Sequence, residues 1–267
     1  MGVIPILHRS PRVRDALRRG LRGGGGTGRG GTRSRLVSCR TVDRVERTLQ
    51  TELVNAVVLD VRSGLSQAAA THLIEAYPRV PMFAFSAFGP EDGRLVSFSL
   101  AAGFRGILLD GIDEPIAAEF ITARSAASER RALLADAPRR LRLSEPVQLA
   151  AWEYVLARVE QATRTAEVAA CLGMTREHLS REFAAGGAPN LKRVIDLVRT
   201  ACAAHLLANP GYTVAAVSRI LHFCSPSHLA TCARRTAGAA PSRLGEMGSR
   251  GVLDRFLKGR THSRAGP

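Results

Sequence analysis

Two short stretches, fifty residues apart, carry side chains suited to reading another polymer. In "TREHLSREF", a helical winding sets Arg176, Glu177, Ser180 and Arg181 apart from the apolar pair Leu179 and Phe183. In "SPSHLATCARR", Ser227, His228 and Thr231 take corresponding outward positions, and Arg234 and Arg235 follow them. An arginine fork matches the acceptor edge of guanine or the oxygens of a phosphate. A carboxylate accepts from the amino group of cytosine, and hydroxyls serve either edge. These types at this spacing imply hydrogen-bonded recognition in a DNA major groove, with Arg234 and Arg235 placed to hold the phosphate backbone. No catalytic constellation accompanies them, so no enzyme is expected. His178 and His228 each lack further ligands, so neither a metal nor another cofactor is expected.

Such side chains need a rigid mount. In "EVAACLGMTREHLSREF" a short helix over 166–172 leads to Gly173, a residue free to take positive φ and turn the chain. Thr175 is placed to cap the next helix, and Ala169 is small where two helices must cross. This is the layout of a helix-turn-helix. "TVAAVSRILHFCSPSHLATCARRTAG" repeats it: Val217 follows Val168 by 49 residues, and His228 and Leu229 follow His178 and Leu179 by 50. One extra residue therefore lies in the second turn. Ser225 or Pro226 starts the second outward helix.

Over residues 150–245 the chain resembles the AraC family of transcription regulators. The order of motifs carries the resemblance: the first pair, "PNLKRVIDLVRTACAAHLLAN" as a joining helix, "SPSHL", and then "RRTAGAAPSRL" as a closing basic-Gly-x-x-Pro-Ser signature. It implies two helix-turn-helix units, each reading one segment of double-stranded DNA. The second unit departs from the family pattern. His222 stands for the turn glycine, Ser218 for a small alanine, Ala233 for a core phenylalanine and Thr231 for a groove-facing arginine.

Ahead of this region, short apolar strands alternate with amphipathic helical stretches. Strands are expected at 3–7, 35–39, 56–60, 82–86 and 106–109, with helices at 11–21, 42–53, 66–77, 91–102 and 115–134. Five βα repeats predict a parallel sheet with helices on both faces. The fold class is thus α/β followed by all-α. A domain is expected over 1–134, a linker over 135–146, a helical domain over 147–245 and a basic flexible tail over 246–267. Eight of residues 20–31 are glycine, so the stretch 20–34 reads as an insertion without regular structure, either a neutral flexible one or an RGG-like arm.

The βα repeats resemble a response-regulator receiver domain. "VVLDVRSG" is similar to the strand ending in its phosphoacceptor, here Asp60, and "FAFSA" to the strand with its switch hydroxyl, here Ser86. The acidic pair that holds Mg²⁺ is replaced by His8 and Arg9, and the expected lysine by Asp110; no lysine precedes Lys192. The resemblance therefore implies a degenerate domain in which Asp60 is inactive. Its roles are then dimerisation, docking of a protein partner, or binding of a small-molecule ligand. A second class of function follows: an adaptor whose first domain docks a partner beside a weakened DNA-binding domain.

Composition agrees without deciding. The net charge is +15, and 36 of the 38 basic residues are arginine. Such an excess favours polyanions. It divides nearly evenly, +7 over 1–140 and +8 over 141–267, so charge does not locate the face. Five scattered cysteines form neither a zinc pattern nor a disulfide framework. No apolar run approaches the ~20 residues of a membrane span, so no membrane partner is expected. The expected location is the cytoplasm, at the nucleoid.

Overall fold

The computed structural model describes residues 2–23, 34–62, 65–159 and 161–262. The chain divides into two units, Met1–Glu129 with Asn209–Tyr212, and Arg130–Ala208 with Thr213–Pro267.

In the first unit the strands are β1 (Val3–Leu7), β2 (Arg35–Cys39), β3 (Val57–Leu59), β4 (Met82–Ser86) and β5 (Gly106–Leu109). They pair in parallel in the order β2-β1-β3-β4-β5. The helices between them are α1 (Pro11–Gly23), α2 (Val42–Thr51), α3 (Gln67–Ala76) and α4 (Gly93–Ala102), with α5 (Glu114–Ala123) after β5. Central strands are buried on both faces, which is why "VVL" and "MFAFS" read as unbroken apolar runs. One core gathers Ile4, Ile6, Val58, Phe83 and Phe85 under Val13 and Leu17 of α1 and Ile121 of α5. The strand order changes direction between β1 and β3, so the carboxyl ends of these two strands flank the switch point of the sheet.

The helix expected over 115–134 is two helices, α5 and α6 (Ala126–Leu133). Ser125 breaks it. Its hydroxyl donates to the Thr122 carbonyl (2.8 Å) and accepts from the Ser128 amide (3.3 Å), while the Ala126 amide donates to Asn55 (2.8 Å). Residues 20–23 of the stretch expected to lack regular structure instead form the last turn of α1, and 24–33 lie outside the described residues.

The second unit is helical: α7 (Ala137–Arg140), α8 (Pro146–Ala157), α9 (Thr165–Cys171), α10 (Arg176–Ala184), α11 (Leu191–Leu207), α12 (Val214–Ile220), α13 (Pro226–Ala237) and α14 (Pro241–His262). The linker expected over 135–146 is instead structured and packs with this unit. Leu134, Ala137 and Leu141 follow helical spacing and are at most 3 % exposed, a stripe that the surrounding prolines and arginines obscure. The flexible tail expected from 246 is also corrected. The chain stays helical to His262 across a break at Gly248 (φ 65°). Val252, Leu253 and Phe256 are buried, and Ser249 donates to the Ala201 carbonyl of α11 (2.8 Å). Residues 263–267 lie outside the described residues. In the joining helix α11, Leu191, Val194, Ile195, Val198, Ala201 and Cys202 share one apolar stripe. The helix is buried almost all round, because α8 and α10 cover one side and α12, α13 and α14 the others.

Candidate nucleic-acid interface

Both helix pairs end their first helix in the same way. In the first, Gly173 takes φ 67°, and the Met174 amide donates to the Ala169 carbonyl (2.9 Å). In the second, His222 takes φ 53°, and the Phe223 amide donates to the Ser218 carbonyl (2.8 Å). The left-handed residue lets the chain reverse while the last carbonyls of the helix stay bonded. Glycine does so freely, whereas a side chain with a Cβ costs about 1 kcal/mol there. We therefore expect His222→Gly to stabilise the second unit by roughly 0.5–1 kcal/mol, read as a higher urea midpoint at unchanged m-value. A destabilised variant would mean that the His222 side chain contributes more than its strain.

The second helix of each pair is capped by a hydroxyl. Thr175 accepts from the His178 amide (3.2 Å), and Ser225 accepts from the His228 amide (3.1 Å). The single extra turn residue is Cys224, just ahead of Ser225. Leu179 and Phe183 are buried against the first helix, with Ala169 beneath; Leu229, Cys232 and Ala233 are the buried face of α13. The remaining face of α10 is exposed, and it carries Arg176, Glu177, Ser180 and Arg181 as expected from the sequence. His178 lies beside Glu182 (3.8 Å) on the same helix.

The second face differs from expectation at two positions. Ser227, Thr231, Arg234 and Arg235 are exposed, but His228 is half-buried. Its Nδ1 accepts from the Cys224 amide (3.4 Å) and its ring meets Phe223 edge-on (5.7 Å), so it props the turn. Thr231 donates back to the Ser227 carbonyl (3.0 Å). Arg235, expected to hold a phosphate, forms an ion pair with Asp196 of α11. That pair ties the recognition helix to the centre of the unit, and Arg234 is left as the outward arginine of the two.

Three supporting side chains escaped the sequence reading. Gln148, fully buried, accepts from the Ser144 and Glu145 amides (2.9 and 3.1 Å) at the start of α8. Its amide donates to the Phe183 and Ala185 carbonyls (3.0 and 3.2 Å) at the end of α10. One side chain thus closes two helix termini. The capping residue of α8 is Glu145. Arg199 of α11 is 8 % exposed, donates to the Leu221 carbonyl at the end of α12 (2.7 Å), and lies 4.0 Å from the Phe223 ring centroid. Burial lowers its pKa, and nearby Asp196 opposes that shift. Arg199 and Phe223 occupy the interior of the pair that lacks a phenylalanine at Ala233. Asp196 is the third.

At the carboxyl ends of the strands in the first unit, Asp60 is 6 % exposed. It accepts from the Ser86 hydroxyl (2.7 Å) and the Arg62 amide (3.1 Å). His8 is buried, accepts from the Ser10 amide at Nδ1 (3.0 Å), and sets Nε2 3.9 Å from Asp110. Burial lowers the His8 pKa, against the pull of Asp60 and Asp110, and burial raises that of Asp110. Burial thus favours the neutral form of His8, and Arg9 brings positive charge to the end of β1. A receiver-type Mg²⁺ ion needs several carboxylate oxygens at one point. Among the described residues no group of three His, Cys, Asp or Glu side chains could hold a metal, so this site does not fit the ion.

Residues 168–247 match a family model described as a helix-turn-helix domain. No curated protein matches the chain. Among solved structures, full-length FixJ from B. japonicum is 18 % identical, with 88 % of this chain and 96 % of that chain covered at a TM-score of 0.39. RcsB from Salmonella enterica serovar Typhimurium, bound to promoter rprA, is 14 % identical, covering 73 % of this chain and 98 % of that one at 0.37. A CheY-like receiver domain protein from Methanospirillum hungatei JF-1 is 13 % identical, covering 46 % and 93 % at 0.38. The receiver-like description of the first unit rests on its own strand order and connections.

Proposed function

We propose that this chain, with a helix-turn-helix domain behind a receiver-like one, is a sequence-specific regulator of transcription that binds double-stranded DNA. One observation carries the reading. Two capped helices, α10 and α13, pack on a common buried helix, and each keeps a polar, arginine-bearing face exposed. Arg176, Glu177, Ser180 and Arg181 are the main base readers. Ser227 and Thr231 read the second segment, His228 shapes its turn, and Arg234 holds the backbone. No catalytic role is assigned. Selection of random duplexes on the full chain tests this. Enrichment of one motif is expected, bound with a log–log salt slope near −0.9 per contacted phosphate. Absence of a motif with a flat salt response would sink the proposal.

Control by aspartyl phosphorylation is not part of it. One Asp60 carboxylate oxygen accepts from both the Ser86 hydroxyl and the Arg62 amide, and among the described residues no Mg²⁺ cradle surrounds it. Acetyl phosphate with Mg²⁺ is expected to leave Asp60 unlabelled. Label that disappears in Asp60→Asn would overturn this.

The first unit is better suited to association. Leu100, Ile112 and Ile116 are 66 %, 68 % and 55 % exposed, on α4, the β5–α5 loop and α5. We assign that apolar face to a homodimer. Wild type is expected to sediment as a dimer and Ile112→Glu as a monomer. A monomeric wild type that forms a hetero-complex would instead favour the adaptor reading. Among the described residues no helix is long and apolar enough to cross a membrane.

A further inference from the structure

A recess in the first unit has a lining that includes neither Asp60 nor Leu100, Ile112 or Ile116. Beside the carboxyl ends of β1 and β2 there is a concavity of about 440 Å³. That size falls within the range of ~300–1,000 Å³ typical of small-molecule sites. Its walls carry four arginines, Arg9, Arg14, Arg18 and Arg40, with Leu7 and Cys39 at the base, and none of its lining residues is acidic. Burial favours the neutral form of His8, also in the wall.

The arginines come from three places. Arg9 follows β1, Arg40 follows β2, and Arg14 and Arg18 are one turn apart on α1. Two are already held in place. Arg14 donates from one terminal nitrogen to the His8 and Arg9 carbonyls (2.6 and 2.9 Å). Arg18 donates to Asp15 (3.0 Å) and to the Ser38 hydroxyl (3.0 Å). Fixing a guanidinium in this way lowers the entropy lost when it binds an anion. Arg9 and Arg40 are exposed at the rim. Arg18 is partly compensated by Asp15, but the like charges of Arg9, Arg14 and Arg40 repel one another, and a multivalent anion relieves that repulsion. The guanidinium fork matches phosphate oxygens in pairs. A carboxylate would neutralise only one of these charges, whereas a phosphomonoester brings close to two charges and three acceptor oxygens. The shape also matters. A duplex backbone runs over open surface, while this site is a recess with buried Leu7 and Cys39 behind it.

We propose that this recess binds a small phosphorylated molecule of up to mononucleotide size, which makes the first unit a ligand-binding domain. The proposal rests on the first unit alone and does not depend on the DNA-binding reading.

Calorimetric titration of the full chain with AMP, and separately with inorganic phosphate, at ~0.15 M salt tests it, since screening there suppresses diffuse attraction. Saturable binding of one equivalent is expected. Arg9→Gln/Arg40→Gln should weaken it by ~10-fold or more, as the loss of charge-assisted hydrogen bonds does. Arg94→Gln/Arg105→Gln removes the same charge from exposed positions elsewhere on the unit, and should change affinity less than about twofold. Far-ultraviolet circular dichroism checks that both variants fold. Failure of both probes to bind wild type would overturn the proposal, as would equal losses in the two variants. Loss of duplex affinity in Arg9→Gln/Arg40→Gln, with neither probe bound, would make the recess a DNA contact instead and would equally overturn it.

Discussion

Replacing both Arg176 and Arg181 with alanine is expected to weaken binding to the selected operator by about 2–6 kcal/mol, or roughly 30-fold to 10⁴-fold. Each arginine is exposed on the outer face of α10, so truncation removes no core contact and leaves the fold intact. A guanidinium bonded bidentately to guanine contributes ~1–3 kcal/mol of discrimination, and two such contacts far enough apart add. Binding to random duplex should fall much less, since base contacts carry the specificity and phosphate contacts the general affinity. The salt slope distinguishes the alternatives. It stays nearly constant if the arginines read bases, and drops by about 1 for each that held a phosphate. Equal losses on operator and random DNA would reassign α10 to backbone contact and move sequence reading elsewhere.

Arg199→Ala is expected to cost about 2–5 kcal/mol of stability, although this buried residue lies outside the exposed faces of α10 and α13. The estimate combines two losses. The Leu221 carbonyl, at the end of α12, loses its side-chain donor, which costs ~1–3 kcal/mol in a buried place. The buried stem and its contact with Phe223 also go. Lysine should rescue little, because a point charge on a thin stem does not reproduce a planar group lying on a ring while bonding a carbonyl. The loss should be local. Hydrogen exchange of α12 and α13 should quicken while the sheet of the first unit keeps its protection. A change under ~0.5 kcal/mol, the scale of an ordinary surface substitution, would show that the second pair does not lean on Arg199.

The two variants probe different links between sequence and function. Arg176 and Arg181 were legible because periodicity alone separates the outer face of a helix from its buried face, and Leu179 and Phe183 mark the buried one. Arg199 was not legible. It lies in a helix whose apolar residues suggest one buried stripe, and burial all round results from neighbours that arrive from distant parts of the chain. Arg235 shows the same limit from the other direction. A basic pair at the end of a recognition helix reads as a phosphate clamp, yet Asp196, 39 residues earlier, takes one of the two. His8 is a third case: its residue type leaves its charge open, while burial favours the neutral form.

By itself the sequence determined the five βα repeats, the paired helices, their caps and the special turn positions, because all of these follow from local periodicity and local backbone preference. The left-handed backbone at His222 was foreshadowed in the same way, by alignment with Gly173. Only the tertiary structure decided what lies within the apparent linker and tail, where short apolar stripes find partners that local pattern does not reveal. It also decided which charged groups face one another. The arginines of the recess come from the ends of two strands and one helix, separated by up to 31 residues between Arg9 and Arg40. Electrostatic interaction depends on distance and burial in space, and neither quantity is a property of sequence separation.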